Sequence, residues 1–404
     1  MTIYKAGVVG AGAMGAEIAQ TISYAGIPVT FKDLNEAILE SGLKRIRQIY
    51  ERRLEKGKIT PEEIEKKMSL IHPTTTYADF KDADLVIEAA FENIDVKKEI
   101  FRELDKACPK SAILASNTSS LSISELGSST ARPEKVIGIH FFYPAHVMKL
   151  VEIIPGLDTS EETISDATAF SEALKKIPIR VNECAGFLVN RLLMPYLNEA
   201  AYLLQEGAAT PQEIDQTMVG FGFPMGPFTL VDTLGVDVCH HVVNILLEDY
   251  GDRMKPAEIW EHLYTRGRYG IKKGKGFYTY GQATTVDEEV ASIVRTLSQK
   301  YPRGPFSVER LLLPMVNEAA LCLQEEVSRT ADIELAMLAG IGFPQEKGGI
   351  LHFADTLGID LILRELEEWS RTLGSRFYPA PLLRRMVKAN HLGVKTKKGF
   401  FSYS

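Results

Sequence analysis

The sequence predicts an N-terminal α/β domain with a doubly wound, mostly parallel sheet, followed by two repeated all-α domains. Two observations carry this. Short apolar runs alternate with helical patterns through the first third of the chain, the pattern of a parallel sheet with crossover helices. From Gly186 onward the pattern turns helical, and a 20-residue segment recurs at an offset of 119. Composition agrees, since 404 residues suit two to three domains at roughly 150 residues each. Hydrophobic residues make up 45% and charged residues 25%, which excludes a disordered chain. The net charge of −7 gives no global basic field for nucleic acid.

The four cysteines, Cys108, Cys184, Cys239 and Cys322, lie far apart, without a CxxC pair or metal-finger spacing. They fit a reducing compartment and argue against a disulfide scaffold or a structural zinc site. No apolar run is long enough to span a bilayer, and Met1 leads directly into an apolar strand pattern rather than a secretory leader. The expectation is a soluble cytoplasmic protein with neither a nucleic-acid nor a membrane partner, and no metal.

The first element is a strand at Ala6 to Val9, leading into Gly10, Gly12 and Gly15 of a GxGxxG turn. A helix-forming stretch follows, then a second apolar run from Pro28 to Phe31, closed by Asp33, 18 residues past Gly15. A bare GxGxxG is weak evidence; one placed between strand and helix, with an acid ending the next strand, is strong. Gly10 permits the tight turn, Gly12 lets backbone approach a pyrophosphate, and Gly15 lets the helix pack against the sheet with its N-terminal dipole facing the phosphates. Asp33 would accept hydrogen bonds from ribose hydroxyls and repel a 2′-phosphate, so a Rossmann-type domain binding NAD is expected. Neighbouring Lys32 weakens the preference over NADP slightly.

Residues 36–70 read as a charged helical hairpin inserted between strands, with Thr60 as N-cap and Pro61 at the first helical position. Most of its charges form a solvated face; Lys44, Arg45 and Arg52 are candidates to meet the phosphates of a large anionic ligand. Further strands are predicted at 85–90, 112–116 and 135–140. Polar residues gather after them, where ligands of such sheets bind: Glu92 and Lys97, then Ser116 to Ser119, then His140. Glu152 lies 12 residues past His140 in another apolar run, LVEII, with Tyr143-Pro144 as a turn between. A hairpin-like return would set Glu152 beside His140, and an imidazole oriented by a carboxylate is a competent general base. His146 is the rival imidazole, with no obvious partner.

On these residues the sequence resembles the L-3-hydroxyacyl-CoA dehydrogenases of fatty-acid β-oxidation. The matching segments are GAGAMG at 10–15, Asp33, EAAFENIDVKKEIF at 88–101, ASNTSSLSI at 115–123, HFFYPAHVMKLVEI at 140–153 and AGFLVNRLLMPYLNEA at 185–200. The resemblance implies an NAD-linked, reversible conversion of (3S)-3-hydroxyacyl-CoA to 3-oxoacyl-CoA. His140 would take the proton from the 3-hydroxyl, Glu152 would orient it, Ser119 would hydrogen-bond the substrate oxygen, and Asn190 would sit near the thioester. Gly10, Gly12, Met14, Gly15, Asp33, Glu92, Lys97, Ser119 and Tyr143 would form the cofactor site. The family usually has Asn where Tyr143 stands, and often Pro where Ala185 stands. Tyr143 keeps open an unusual ring-derived acyl-CoA or a free hydroxy acid as substrate. A redox-silent relative that binds NAD or acyl-CoA is the non-enzymatic alternative.

The helical remainder is a duplication. FLVNRLLMPYLNEAAYLLQE at 187–206 recurs as FSVERLLLPMVNEAALCLQE at 306–325, with 13 of 20 positions identical and a proline inside each helix, Pro195 and Pro314. The match resumes at GFP (222–224 and 342–344), at DTLGxD (232–237 and 355–360), and at KGFYTY against KGFFSY (275–280 and 398–403). Asn190 becomes Glu309 in the second copy, which therefore reads as structural. The domains expected are 1–183, with the hairpin at 36–70, then 184–283 and 284–404. The resemblance implies that the second copy imitates the dimer interface of the short family members. A pseudo-dimeric monomer or a homodimer follows, with a thiolase or enoyl-CoA hydratase as further partner.

Overall fold

The structure is a computed structural model that describes residues 2–281 and 283–404. It divides into two compact units, Met1–Phe187 and Leu188–Ser404.

The first unit is built on one eight-stranded sheet in the order β3-β2-β1-β4-β5-β6-β7-β8. The strands are β1 (Ala6–Val9), β2 (Val29–Lys32), β3 (Ile71–Thr74), β4 (Leu85–Glu88), β5 (Ile113–Ser116), β6 (Val136–Phe141), β7 (Leu150–Pro155) and β8 (Ile177–Arg180). The first six run parallel; β7 returns antiparallel to β6 and β8 runs parallel to β7. All four residues of β1 are buried, as a central strand covered on both faces requires. The expected mostly parallel sheet is present, with two strands the apolar runs did not announce. Both, β3 (IHPT) and β8 (IPIR), contain proline and lie at the sheet's two edges, where a missing N–H costs no ladder bond.

The helices of this unit are α1 (Ala13–Tyr24), α2 (Glu36–Glu55), α3 (Pro61–Met68), α4 (Ile94–Ala107), α5 (Ile123–Gly127) and α6 (Glu161–Ala173). The hairpin of α2 and α3 starts where local chemistry dictates. Asn35 accepts the Ile38 amide, and Thr60 forms a capping box with Glu63 ahead of Pro61. Arg47 pairs with Glu65 across the hairpin at 2.7 Å.

The second unit is all helical: α7 (Val189–Gln205), α8 (Pro211–Phe221), α9 (Pro227–Leu234), α10 (Val236–Tyr250), α11 (Glu258–Thr265), α12 (Glu288–Leu297), α13 (Val308–Gln324), α14 (Thr330–Leu335), α15 (Ile350–Leu357), α16 (Ile359–Thr372) and α17 (Pro381–Lys388). The repeated helices α7 and α13 pack against each other with reciprocal ion pairs. Arg191 reaches Glu318 and Glu325, while Arg310 reaches Glu199 and Glu206. Residues 191, 199 and 206 correspond to 310, 318 and 325 at the offset of 119, so the copies meet as the two halves of an isologous interface do. Asn198 and Asn317 likewise accept the equivalent amides of Ala257 and Ala380.

The copies differ where the offset changes. Between residues 337 and 340 the second copy carries one extra residue, and there the helix widens into a π-turn at Ala336–Ile341, the backbone's way of absorbing a single insertion. Three more residues enter after Pro344 and form the short turn Gln345–Lys347, whose Lys347 ammonium lies 5.4 Å from the Phe221 ring. Among the described residues no single helix is long and apolar enough to cross a membrane.

Candidate active site

The glycine-rich turn separates packing needs from an open approach. Gly10 adopts φ +108°, and a Cβ there would lie 2.5 Å from the Ala89 carbonyl oxygen. A Cβ on Gly15 would stand 1.8 Å from the Gly10 carbonyl oxygen. Side chains are therefore barred at both positions by the fold itself. Gly12 is different: a Cβ there would meet nothing within 4 Å, yet Gly12 caps α1 and no side chain caps that helix. The bare backbone keeps clear the helix end where an anion is favoured.

Asp33, just past β2, is fixed by two backbone amides, with Ala11 and Leu34 each donating at 2.6 Å. The Lys32 ammonium, expected to blunt discrimination against a 2′-phosphate, is instead occupied at the Tyr77 ring, 4.1 Å from its centroid. Burial pushes its pKa down, against the pull of Asp33. Met14, partly buried, packs against the core of the sheet.

At the end of β4 an ionic network forms whose centre was not foreseen. Glu88 is fully buried and accepts from Lys97 at 2.7 Å and from the Ser116 hydroxyl at 2.7 Å. Lys97, 1% exposed, also pairs with Glu92 at 3.2 Å. Glu92 accepts from the Thr118 hydroxyl, the Ser119 amide at 3.0 Å and the Ser119 hydroxyl at 3.3 Å. Burial opposes the Glu92 charge, but Lys97 and these donors outweigh it and hold the carboxyl below its usual range. The structure thus gathers Glu92, Lys97 and Ser119 in one network, with Lys97 enclosed between carboxylates.

The hairpin of β6 and β7 pairs His140 directly opposite Glu152. In an antiparallel ladder opposite residues share a face, so the register alone brings the side chains together. His140 Nδ1 lies 2.7 Å from Glu152 Oε2; His140 is 7% exposed and Glu152 is buried. The rings of Phe142 and Phe187 flank the imidazole at 4.6 and 5.8 Å between centroids. The Asn117 carboxamide accepts the Phe141 amide at 2.9 Å and so ties the end of β5 to that of β6.

The loop between β6 and β7 carries Tyr143, 62% exposed. It is held from beneath: Glu17 on α1 accepts the Ala145 amide at 2.6 Å, and the Lys176 ammonium donates to the carbonyls of Ala145 and Met148. Burial, and secondarily Arg53, lower the Lys176 pKa to about 8. His146, which has no obvious partner in the sequence, has its Nδ1 3.4 Å from a Glu17 carboxylate oxygen, within ion-pair distance but without a hydrogen bond. Lys44, Arg45 and Arg52 all lie exposed on α2. Asn190 is the second residue of α7 in the second unit, and Glu309 holds the same place in α13.

The glycine-rich turn on a doubly wound sheet marks the class as a dinucleotide-binding α/β protein. Family comparison makes it specific. The model of the 3-hydroxyacyl-CoA dehydrogenase NAD-binding domain matches residues 5–184, and that of the family's C-terminal domain matches 186–280 and again 306–403. The chain therefore belongs to the 3-hydroxyacyl-CoA dehydrogenase family, and its first unit carries that family's NAD-binding domain. The fatty acid oxidation complex subunit alpha of Shewanella amazonensis is 40% identical over 95% of this chain and 55% of its own length. The chain spans about half the length of the curated relatives it matches. A solved 3-hydroxybutyryl-CoA dehydrogenase from Escherichia coli superimposes with a TM-score of 0.88 at 29% identity, over 96% of this chain and 99% of that one. The (S)-3-hydroxybutyryl-CoA dehydrogenase of Ralstonia eutropha is 40% identical over 70% of this chain and 100% of its own, with a TM-score of 0.68.

Proposed function

We propose that the chain catalyses the reversible, NAD-linked oxidation of (3S)-3-hydroxyacyl-CoA to 3-oxoacyl-CoA. The observation that carries this is the buried His140–Glu152 pair at 2.7 Å, on the same sheet as the glycine-rich turn. Glu152 accepts the Nδ1 proton, which leaves Nε2 as the base for the 3-hydroxyl proton, and its charge stabilises the imidazolium that forms. NAD, when bound, supplies the hydride acceptor. Gly10, Gly12, Met14, Gly15 and Asp33 are the residues to hold it, and the open approach over Gly12 fits a pyrophosphate there. Glu92, Lys97 and Tyr143 complete the cofactor side, with Lys97 acting by fixing Glu92 rather than from an exposed position. The Ser119 hydroxyl serves the substrate oxygen and Asn190 the thioester end.

The reciprocal ion pairs of α7 and α13 support a pseudo-dimeric monomer over a homodimer built on the same face. The curated relatives are alpha subunits of fatty acid oxidation complexes, which supports a place in fatty-acid oxidation; a cytoplasmic location and a thiolase or enoyl-CoA hydratase partner follow from the resemblance alone. A second reading, a ring-derived acyl-CoA or free hydroxy acid as substrate, rests on the exposed phenol of Tyr143.

NADH oxidation by the purified chain, followed by absorbance with acetoacetyl-CoA and with free acetoacetate, tests the proposal. Saturable oxidation with the thioester alone is the expected result. Turnover of the free acid alone would favour the second reading, and NADH binding without turnover of either would leave a redox-silent relative.

A further inference from the structure

We propose that Phe187 is a positioning residue for the general base: its ring holds the His140 imidazole in place on Glu152, and Glu183 anchors the segment that delivers it. The inference rests on the reading above that His140 is the base.

Residues 181–187 run from the edge of the sheet to the imidazole. Just past β8 the Val181 amide donates to the Ile153 carbonyl at 3.0 Å, one residue beyond Glu152 on β7. The Glu183 carboxylate is then fixed at the start of α5. It accepts from the Ser122 hydroxyl at 2.6 Å, from the Ser124 amide at 3.2 Å and from the Ser124 hydroxyl. Two residues with left-handed backbone follow, Gly186 at φ +72° and Phe187 at φ +50°. The Phe187 amide closes this turn by donating to the Cys184 carbonyl at 3.0 Å. Glycine adopts such a backbone readily, whereas a bulky residue persists there only where its surroundings hold it. Burial supplies that hold: Phe187 is 1% exposed, and its ring centroid lies 5.8 Å from that of the imidazole.

The contact of Nδ1 with Glu152 fixes one atom of the imidazole. It does not stop the ring from rocking about that bond, because the outer torsion of a histidine side chain is broad. The flanking rings of Phe142 and Phe187 do, and so set the direction of Nε2, where a displacement of about 1 Å slows proton transfer severely. Phe142 follows His140 on the same chain end and moves with it. Phe187 arrives from beyond β8, so its hold is independent of that strand and is set by the Glu183 anchor.

Phe187→Leu keeps an apolar side chain on the same backbone and removes the ring. In the full chain, with acetoacetyl-CoA and NADH, it is expected to lower kcat roughly tenfold while NADH affinity stays unchanged. In proton NMR without ligand, the downfield Nδ1–H resonance that His140→Ala abolishes should broaden in Phe187→Leu. Phe80→Leu makes the same change at another fully buried ring of this unit, one that packs on Gly7 of β1. It should lower Tm comparably yet keep kcat within about twofold of wild type. Glu183→Ala should lower kcat about threefold on its own and add no loss to Phe187→Leu, since both act through one ring. Wild-type kcat in Phe187→Leu, equal losses in the Phe187 and Phe80 variants, or a loss with the resonance left sharp would each overturn the proposal. Losses that multiply in the double variant would remove Glu183 from it. His140→Ala separates the two readings. Full turnover in that variant removes the base and the proposal with it, whereas a loss there without one in Phe187→Leu removes the positioning role alone.

Discussion

His140 and Arg191 each meet a buried glutamate at 2.7 Å, one at the end of a strand and the other in the first turn of a helix. An imidazole has a ring nitrogen that can accept a proton from a reacting group, so a carboxylate beside it changes what the ring does. A guanidinium stays charged throughout, so a carboxylate beside it only fixes where the side chain sits. The surroundings follow the same division. His140 lies at the C-terminal end of β6, flanked by aromatic rings and 7% exposed, whereas Arg191 has no exposed surface and is gripped by a second glutamate as well. A short ion pair in the interior is thus not in itself a sign of chemistry; the titratable partner is.

Substitutions should separate the two kinds of pair cleanly. Arg310→Ala removes the fully buried partner of Glu199 and Glu206 and leaves only Arg376 to pair with them, and should cost about 3 kcal/mol in urea unfolding, short of the full penalty of unpaired buried charge. Glu152→Gln keeps the shape of the strand pair but removes the charge opposite the imidazolium. A fall in kcat of roughly ten- to a hundredfold is expected, with a folded protein that binds NADH normally. If Glu152→Gln turns over at the wild-type rate, the pair belongs with the structural ones.

A smaller effect concerns Lys176 beneath the β6–β7 loop. Its pKa is lowered to about 8 from the ordinary 10.5, so between these values the unfolded chain holds a proton there that the folded chain lacks. Stability then rises with pH across that window, and the folded state bears the cost of a buried ammonium below it. Wild type should gain on Lys176→Met between pH 8 and 10.5, read as the difference in urea midpoints at the two ends. A constant difference would contradict the assigned burial. The smallest effect is expected from Glu309→Asn, which restores the first copy's residue in the second. Turnover should stay at wild type, and a large change would place the second copy in the reaction directly.

The first unit was legible because its parallel strands are buried on both faces and stand out as apolar runs. The edge strands β3 and β8 were not, because each is interrupted by proline and partly exposed. His140 and Glu152 could be paired from sequence since one short hairpin joins them. Glu88 carried the same signal as Glu152, an acid inside an apolar strand (LVIE against LVEI), but its partners Lys97 and Ser116 come from separate elements. The reciprocal ion pairs had a signal too. Arg191, Glu199 and Glu206 stay identical in both copies, as do Asn198 and Gln205, on helices that are largely apolar, while Asn190 diverges. The contact of Glu17 with the loop at Ala145 spans 128 residues and had no local trace.

The most direct test of the account compares wild type with His140→Ala for NADH oxidation by acetoacetyl-CoA, alongside an NADH titration of each. The account predicts a fall in kcat on the order of a hundredfold or more, with NADH affinity near wild type. A variant that binds NADH and keeps most of its turnover would contradict it, and would move the base away from the strand end where the buried pair stands.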